Sequence, residues 1–79
     1  MTSAQRSEYR RFLVRLRAAR SESGLTQGEV AARLSVDQSW ISKVERGVRR
    51  LDVIELCRFA KLYKKSARYF VPEFPAESG

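Results

Sequence analysis

Residues 26–47 have the sequence TQGEVAARLSVDQSWISKVERG, and this stretch predicts two short helices joined by a tight turn. Thr26 and Glu29 have the spacing of a capping box, in which both side chains bind free backbone N–H groups at the start of a helix. Asp37 is suited to cap the second helix, and Gly47 to end it. Apolar side chains at helical spacing predict the face that the two helices bury: Val30, Ala31, Leu34, Val36, Ile41 and Val44.

Before this pair, the sequence predicts one longer helix. Residues 1–6 are polar and lack periodicity, so we expect a flexible arm there. Ser7 is the expected N-cap, apolar residues follow at helical spacing, and Gly24 is suited to end the helix in the left-handed conformation. The outer face of this helix carries several arginines, which add to the positive charge of the domain.

After the pair, two further helices and a tail are expected. Asp52 is suited to cap a fourth helix, and Ser66 a short fifth one. Two prolines then end regular structure, so residues 72–79 are expected to form a C-terminal tail. Together these elements predict an all-α domain of five helices over residues 7–71, with the two short helices at its centre.

The composition favours an anionic partner. The 79 residues suffice for one domain with one core, and they carry a net charge of +7. Such an excess of Lys and Arg on a small domain is typical of proteins that bind nucleic acid. We expect no membrane association, because no apolar run approaches the roughly 20 residues of a membrane span. No helix pairs one long apolar face with one purely basic face either.

The residue types give no support for an enzyme or a metal site. The chain has no histidine, which is the commonest metal ligand and the usual acid–base residue near neutral pH. It also lacks a nucleophile elbow, a phosphate-binding loop and a cysteine cluster, so we expect neither a metal nor a cofactor. The single cysteine, Cys57, cannot form an internal disulfide, and we recognise no secretory signal. Both features favour the cytoplasm.

A larger set of residues has a spacing that extends beyond the two short helices. The set comprises Leu16, Arg20, Gly24-Leu25-Thr26-Gln27, Val30-Ala31-x-x-Leu34, Val36, Ser39, Ile41-Ser42-Lys43-Val44-Glu45-Arg46-Gly47, Arg49 and Leu56-x-x-Phe59-Ala60. With this set the chain resembles the phage repressor and Cro type of helix-turn-helix, also called the XRE-like family. Ser35 and Lys64 stand where that family usually has glycine, and a left-handed conformation at such a residue costs on the order of 1 kcal/mol.

The resemblance implies a compact, lambda-repressor-like domain that places its third helix in the major groove of double-stranded DNA. The positions that usually contact base edges hold Gln38, Ser39, Ser42 and Lys43. Glutamine can form two hydrogen bonds with adenine, lysine suits guanine, and serine suits either base. Phosphate contacts, which position the protein without specifying sequence, are expected from Gln27, Trp40, Arg46, Arg49 and Arg50.

Three residues near these helices have structural interpretations as well. Arg20 and Glu45 match the family's partly buried ion pair, so the resemblance implies that they support the fold. Trp40 has two interpretations. Its ring packs on the flank of the domain against the second or fourth helix, or its indole N–H binds a phosphate while the ring braces the third helix.

The resemblance also implies that two copies pair, so that their third helices enter successive major-groove segments. The sequence offers no separate dimerisation domain. The interface is therefore expected at Leu51, Ile54, Tyr69, Val71 and Phe74. The implied function is a sequence-specific transcriptional regulator, such as a repressor, that binds a two-fold operator as a homodimer. A restriction–modification controller protein and the antitoxin of a toxin–antitoxin pair are alternatives of the same kind. A protein-binding module that has lost DNA binding is the alternative of another class.

Overall fold

The computed structural model describes residues 2–71, and this part of the chain contains helices and no strands. The five helices are α1 (Ser3–Ser23), α2 (Gln27–Leu34), α3 (Gln38–Glu45), α4 (Val53–Tyr63) and α5 (Ala67–Phe70). The predicted all-α architecture of five helices around the α2–α3 pair is confirmed.

Helix α1 begins five residues earlier than predicted, since its N-cap is Thr2 and not Ser7. Thr2 Oγ1 accepts a hydrogen bond from the backbone N–H of Gln5 at 3.1 Å. In return, Gln5 Oε1 accepts one from the backbone N–H of Thr2 at 2.8 Å. This capping box starts the helix without any buried apolar side chain nearby. The prediction of a flexible arm over residues 1–6 with Ser7 as N-cap is therefore wrong from Ser3 onward.

The ends of α2 follow the predicted chemistry, whereas Asp37 holds the N-cap position of α3 without a side-chain cap hydrogen bond, so its predicted capping contact is wrong. Thr26 and Glu29 form the expected capping box at the start of α2. Ser35 ends that helix with a φ of 59°. Its backbone N–H donates to the carbonyl groups of the last turn. Lys64 ends α4 in the same left-handed conformation, with a φ of 58°. At Gly47 the φ is +78°, and a Cβ atom there would lie 2.9 Å from Leu13 Cδ1. Glycine is therefore favoured at residue 47, because it adopts this φ without strain and leaves the Leu13 side chain in place.

The core is built from all five helices and fixes the orientation of α3. Ile41 and Val44 on α3 and Val30 on α2 are completely buried, and Phe59 of α4 and Phe70 of α5 pack into the same cluster. Because residues three and four apart share a helix face, burying this side of α3 turns its other side toward solvent. Of the predicted inward set, only Val36 is partly rather than fully buried.

Two arginines hold the C-terminal ends of the short helices. Arg17 Nη1 of α1 donates to the backbone carbonyl of Glu45 at 2.6 Å. Arg58 Nη2 of α4 donates to the backbone carbonyl of Leu34 at the same distance. The last carbonyl groups of a helix have no partner within it, so each arginine satisfies one of them. The helix pair is thereby attached to α1 on one side and to α4 on the other.

Candidate nucleic-acid interface

The outward side of α3 is a polar surface that the fold leaves open. Gln38, Ser39 and Lys43 are exposed, and Ser42 is half-buried between them. The residues at positions 38, 39, 42 and 43 recur one helical turn apart, on the side opposite the buried Ile41 and Val44. Within the part of the chain that the structure describes, the side chains of Ser39, Ser42 and Lys43 make no hydrogen bond or ion pair. All four residues predicted to contact bases therefore lie together on one accessible face of α3, which we call the reading face.

Gln38 is the member of this face with a neighbour from another helix. A Cβ atom added at Gly28 would lie 3.5 Å from Gln38 Oε1 and 3.9 Å from Thr26 Oγ1. The glutamine amide therefore packs over the first turn of α2. The sequence analysis gave no role to Gly28. The structure shows that its missing side chain leaves room for the amide of Gln38.

The start of α2 is tied to the end of α3 through a buried carboxylate. Glu45 is 2% exposed. Its Oε2 atom accepts from Arg20 Nε at 2.7 Å, and its Oε1 atom accepts from Arg20 Nη2 at 3.0 Å. The same Oε1 accepts from Gln27 Nε2, also at 3.0 Å. The hydrogen bond to Glu45 raises the pKa of the Arg20 guanidinium further above its ordinary value.

Gln27 thus belongs to this network, which the sequence analysis did not anticipate. A glutamine amide carries two N–H donors, and the bond to Glu45 occupies one of them. The second N–H lies at the beginning of α2, where unsatisfied backbone N–H groups and the helix dipole attract anions. A phosphate contact by Gln27 is compatible with the network, because the two acceptors use different hydrogens.

Trp40 packs against α4 rather than standing out from α3. Its half-buried indole stacks on the ring of Phe59, with a centroid distance of 6.0 Å and an interplanar angle of 17°. The guanidinium carbon of Arg49 lies 5.2 Å from the centre of the tryptophan ring, a cation–π geometry. The structure therefore shows the packing role of Trp40. A phosphate bond from its indole N–H stays a prediction.

The three arginines that follow the reading face are each held by a protein contact. Arg49 Nη2 lies 3.0 Å from Glu55 Oε2. Arg50 places its guanidinium carbon 4.3 Å from the centre of the Tyr9 ring. Arg46 Nε donates to the backbone carbonyl of Ser42 at 3.4 Å. All three residues are exposed, so the C-terminal end of α3 carries three positive charges in a restrained arrangement.

The residues predicted for a dimer interface differ in exposure. Ile54 is 67% exposed on the first turn of α4, and Val53 beside it is exposed to a similar degree, which the sequence analysis did not note. Leu51, Tyr69 and Val71 are partly buried and pack against the core of their own chain. The predicted contact at Phe74 lies outside the described residues. Ile54 is thus the clearest apolar side chain available to a second copy.

The described residues provide neither a candidate metal site nor a candidate membrane span. Residues 2–71 contain no group of three or more potential metal-ligating side chains. No helix in that part of the chain is long and apolar enough to cross a bilayer.

Comparison with known protein families agrees with this geometry. A family model described as a helix-turn-helix domain matches residues 11–67, which is more than half of the chain. No match was found among curated proteins or among solved structures. The chain belongs to this helix-turn-helix domain family, and domains of this kind bind DNA.

Proposed function

We propose that this helix-turn-helix protein is a sequence-specific transcriptional regulator of the phage repressor and Cro type, which inserts α3 into the major groove of double-stranded DNA. The observation that carries the proposal is the contrast between the two sides of α3. One side is fully buried through Ile41 and Val44, whereas the other presents small polar side chains and one lysine. A helix of this shape enters the major groove without steric obstruction, and its side chains match the donors and acceptors of base edges.

The proposed roles divide by chemistry. Base edges are contacted by Gln38, Ser39, Ser42 and Lys43. Phosphates are contacted by the second amide N–H of Gln27 at one end of the pair, and by Arg46, Arg49 and Arg50 at the other. Trp40 supports this arrangement by fixing the guanidinium of Arg49. Phosphates on both sides of the groove would thus hold the reading face in register.

The regulator is proposed to act as a homodimer in the cytoplasm, with no metal, no cofactor and no catalytic role. Support for pairing comes from Val53 and Ile54, two neighbouring apolar side chains that are 69% and 67% exposed at the start of α4 and that a second copy could cover. A two-fold dimer would place two copies of α3 roughly 34 Å apart, one turn of DNA. A controller protein or an antitoxin would use the same geometry, and a neighbouring methyltransferase or toxin gene would distinguish these roles.

Selection of bound duplexes from a random DNA library tests the proposal directly. We expect an enriched half-site, repeated with two-fold symmetry at a spacing of about 10 base pairs. The absence of any enriched sequence would contradict specific recognition and would favour a protein-binding module.

Three matched charge removals then test the division of roles. Lys43→Ala should relax the preference at one position of the half-site by a factor of roughly 5–150. Arg46→Ala should weaken binding to all sequences alike and reduce the salt dependence by about one phosphate contact. Lys61→Ala removes the same charge from an exposed position on α4 and serves as the control. If Lys43→Ala changes the base preference no more than Lys61→Ala does, α3 does not read the bases through Lys43.

The dimer is tested by sedimentation with and without the selected duplex. We expect a species of twice the 9.1 kDa chain mass, at least on DNA. Ile54→Asp should shift the protein toward the monomer without unfolding it, because the side chain is exposed. Val14→Asp, at an exposed valine on α1, is the control. If the two variants sediment with the same fraction of dimer, Ile54 is not part of the interface.

A further inference from the structure

An apolar groove of about 570 Å³ lies on the side of the domain formed by α1, the segment before α4, and α5. Its apolar walls are Tyr9, Phe12, Leu51, Val53, Leu56 and Val71. Gln5 and Glu8 on the first turns of α1 also line the groove, so the early start of this helix extends one of its walls. Its volume falls within the range of about 300–1,000 Å³ that is typical of sites occupied by a ligand.

The walls of the groove have the chemistry of a surface that binds proline-rich segments. The rings of Tyr9 and Phe12 lie side by side, with centroids 5.2 Å apart. Arg50 covers the tyrosine ring at 4.3 Å. Arg68 adds a second cation at the rim. Aromatic grooves of this type accept extended polyproline segments, because such segments lose little conformational entropy on docking.

The chain itself supplies a segment with the matching chemistry. Val71 lines the groove, so the residues that follow begin at its edge. Residues 72–79 have the sequence PEFPAESG, in which two prolines flank Phe74 and favour an extended backbone. At roughly 3.1 Å per residue, Phe74 lies within about 9 Å of Val71 along the chain. Glu73 offers a carboxylate whose charge is opposite to that of the arginines at the rim.

We propose that residues 72–79 dock into this groove of their own chain, with the ring of Phe74 against Leu51 and Leu56 and the carboxylate of Glu73 beside Arg68. A segment attached at the edge of the groove has an effective concentration in the millimolar range. A second copy or a separate peptide has to overcome the entropy of association as well. The groove therefore favours the attached segment over both competitors.

This docking does not involve α3, although Arg50 lies both at the rim of the groove and among the proposed phosphate contacts. It would give Phe74 a place in its own domain, whereas the sequence analysis assigned that residue to the dimer interface. Ile54 is not among the groove residues, so the proposed dimer contact on α4 stays accessible.

The test uses the full chain in solution. Nuclear Overhauser effects between the Phe74 ring and the methyl groups of Leu51 and Leu56 should appear in uniformly labelled protein. They should be absent from isotope-filtered spectra of a mixture of labelled and unlabelled protein, because the contact lies within one chain. Contacts seen only in the mixture would assign the groove to a second copy and overturn the proposal.

Two substitutions supply an energetic measure. Phe74→Ala should lower the Tm by roughly 4–8 °C and shift the methyl resonances of Leu51 and Leu56. Phe74→Leu should keep most of the Tm, since it keeps an apolar side chain. Because neither change touches the described core, a well-dispersed amide spectrum will show that both variants fold. An unchanged Tm in Phe74→Ala, together with no contact to the leucine methyl groups, would also overturn the proposal.

Discussion

Glu45→Ala is predicted to be among the most destabilising single substitutions in this domain. The Glu45 carboxylate is 2% exposed and accepts three hydrogen bonds, two from Arg20 and one from Gln27. Removing one partner of a buried ion pair costs about 3–5 kcal/mol, because the other charge stays desolvated. The Arg20 side chain is 23% exposed, so water compensates it in part and places the loss near the lower end of that range. The unpaired amide of Gln27 adds about 1 kcal/mol.

The resulting loss of about 4 kcal/mol can be measured by urea unfolding at neutral pH, followed by circular dichroism. A domain of this size has a free energy of unfolding of about 4–12 kcal/mol, so the experiment should be run near 10–20 °C to keep a folded baseline. Glu22→Ala is the matched control. Its carboxylate is 57% exposed and lies 2.8 Å from Lys65 Nζ, so solvent screening keeps the contribution of this pair to stability small.

A double-mutant cycle then isolates the pair itself. Arg20→Ala, Glu45→Ala and the double variant should show a coupling of about 2–3 kcal/mol, because the second substitution removes an already unpaired charge. If Glu45→Ala loses no more stability than Glu22→Ala, the carboxylate does not hold the helices together, and the reasoning is refuted.

Three further predictions concern single residues. Tyr63 is buried without a hydrogen-bond partner for its hydroxyl within residues 2–71, and burial together with the charge of Glu45 raises its pKa from 10.0 to about 12. Above pH 10 the unfolded chain loses this proton first, so the protein should lose about 2 kcal/mol of stability by pH 12. Tyr63→Phe should avoid that loss in urea unfolding at each pH. Ser35→Gly should raise the free energy of unfolding by up to about 1 kcal/mol, because it relieves the positive φ at the end of α2, and a decrease would contradict this. Gly28→Ala should stabilise α2 by about 0.5–1 kcal/mol, whereas Gly28→Val should displace the amide of Gln38 and change base preference in DNA selection without unfolding the domain. Unchanged preference in that variant would show that Gln38 does not read a base from this position.

The helix pair could be predicted from sequence because its signals are local. The capping box at Thr26 and the buried Ile41 and Val44 follow from spacings of three to four residues. The left-handed conformation at Ser35 was expected only from the family resemblance. The start of α1 was missed, although its signal is equally local. The prediction relied on apolar periodicity, and the Thr2–Gln5 capping box precedes the first buried residue of the helix.

Contacts between distant residues could not be predicted in the same way. Arg17 is one of the arginines expected on the outer face of α1, yet it donates to the backbone carbonyl of Glu45, 28 residues along the chain. Likewise, the stacking of Trp40 on Phe59 depends on how α4 crosses α3, and no spacing within either helix contains that information. Sequence periodicity determines which side of a helix is exposed, whereas tertiary packing determines how each polar side chain is held.

Glu45 connects the proposed base-contacting face of α3 to the proposed phosphate contact at the start of α2. Its side chain holds Gln27 at the start of α2 and Arg20 on α1, while its backbone carbonyl holds Arg17, also on α1. In the proposed complex, this one buried residue would set the distance between the amide of Gln27 and the side chains of α3 that contact bases. In an interface where phosphates set the register of base contacts, an error in that distance would misplace every base contact together. The carboxylate that stabilises the fold is therefore also the group on which the geometry of recognition depends, although it does not itself touch DNA in the proposed complex.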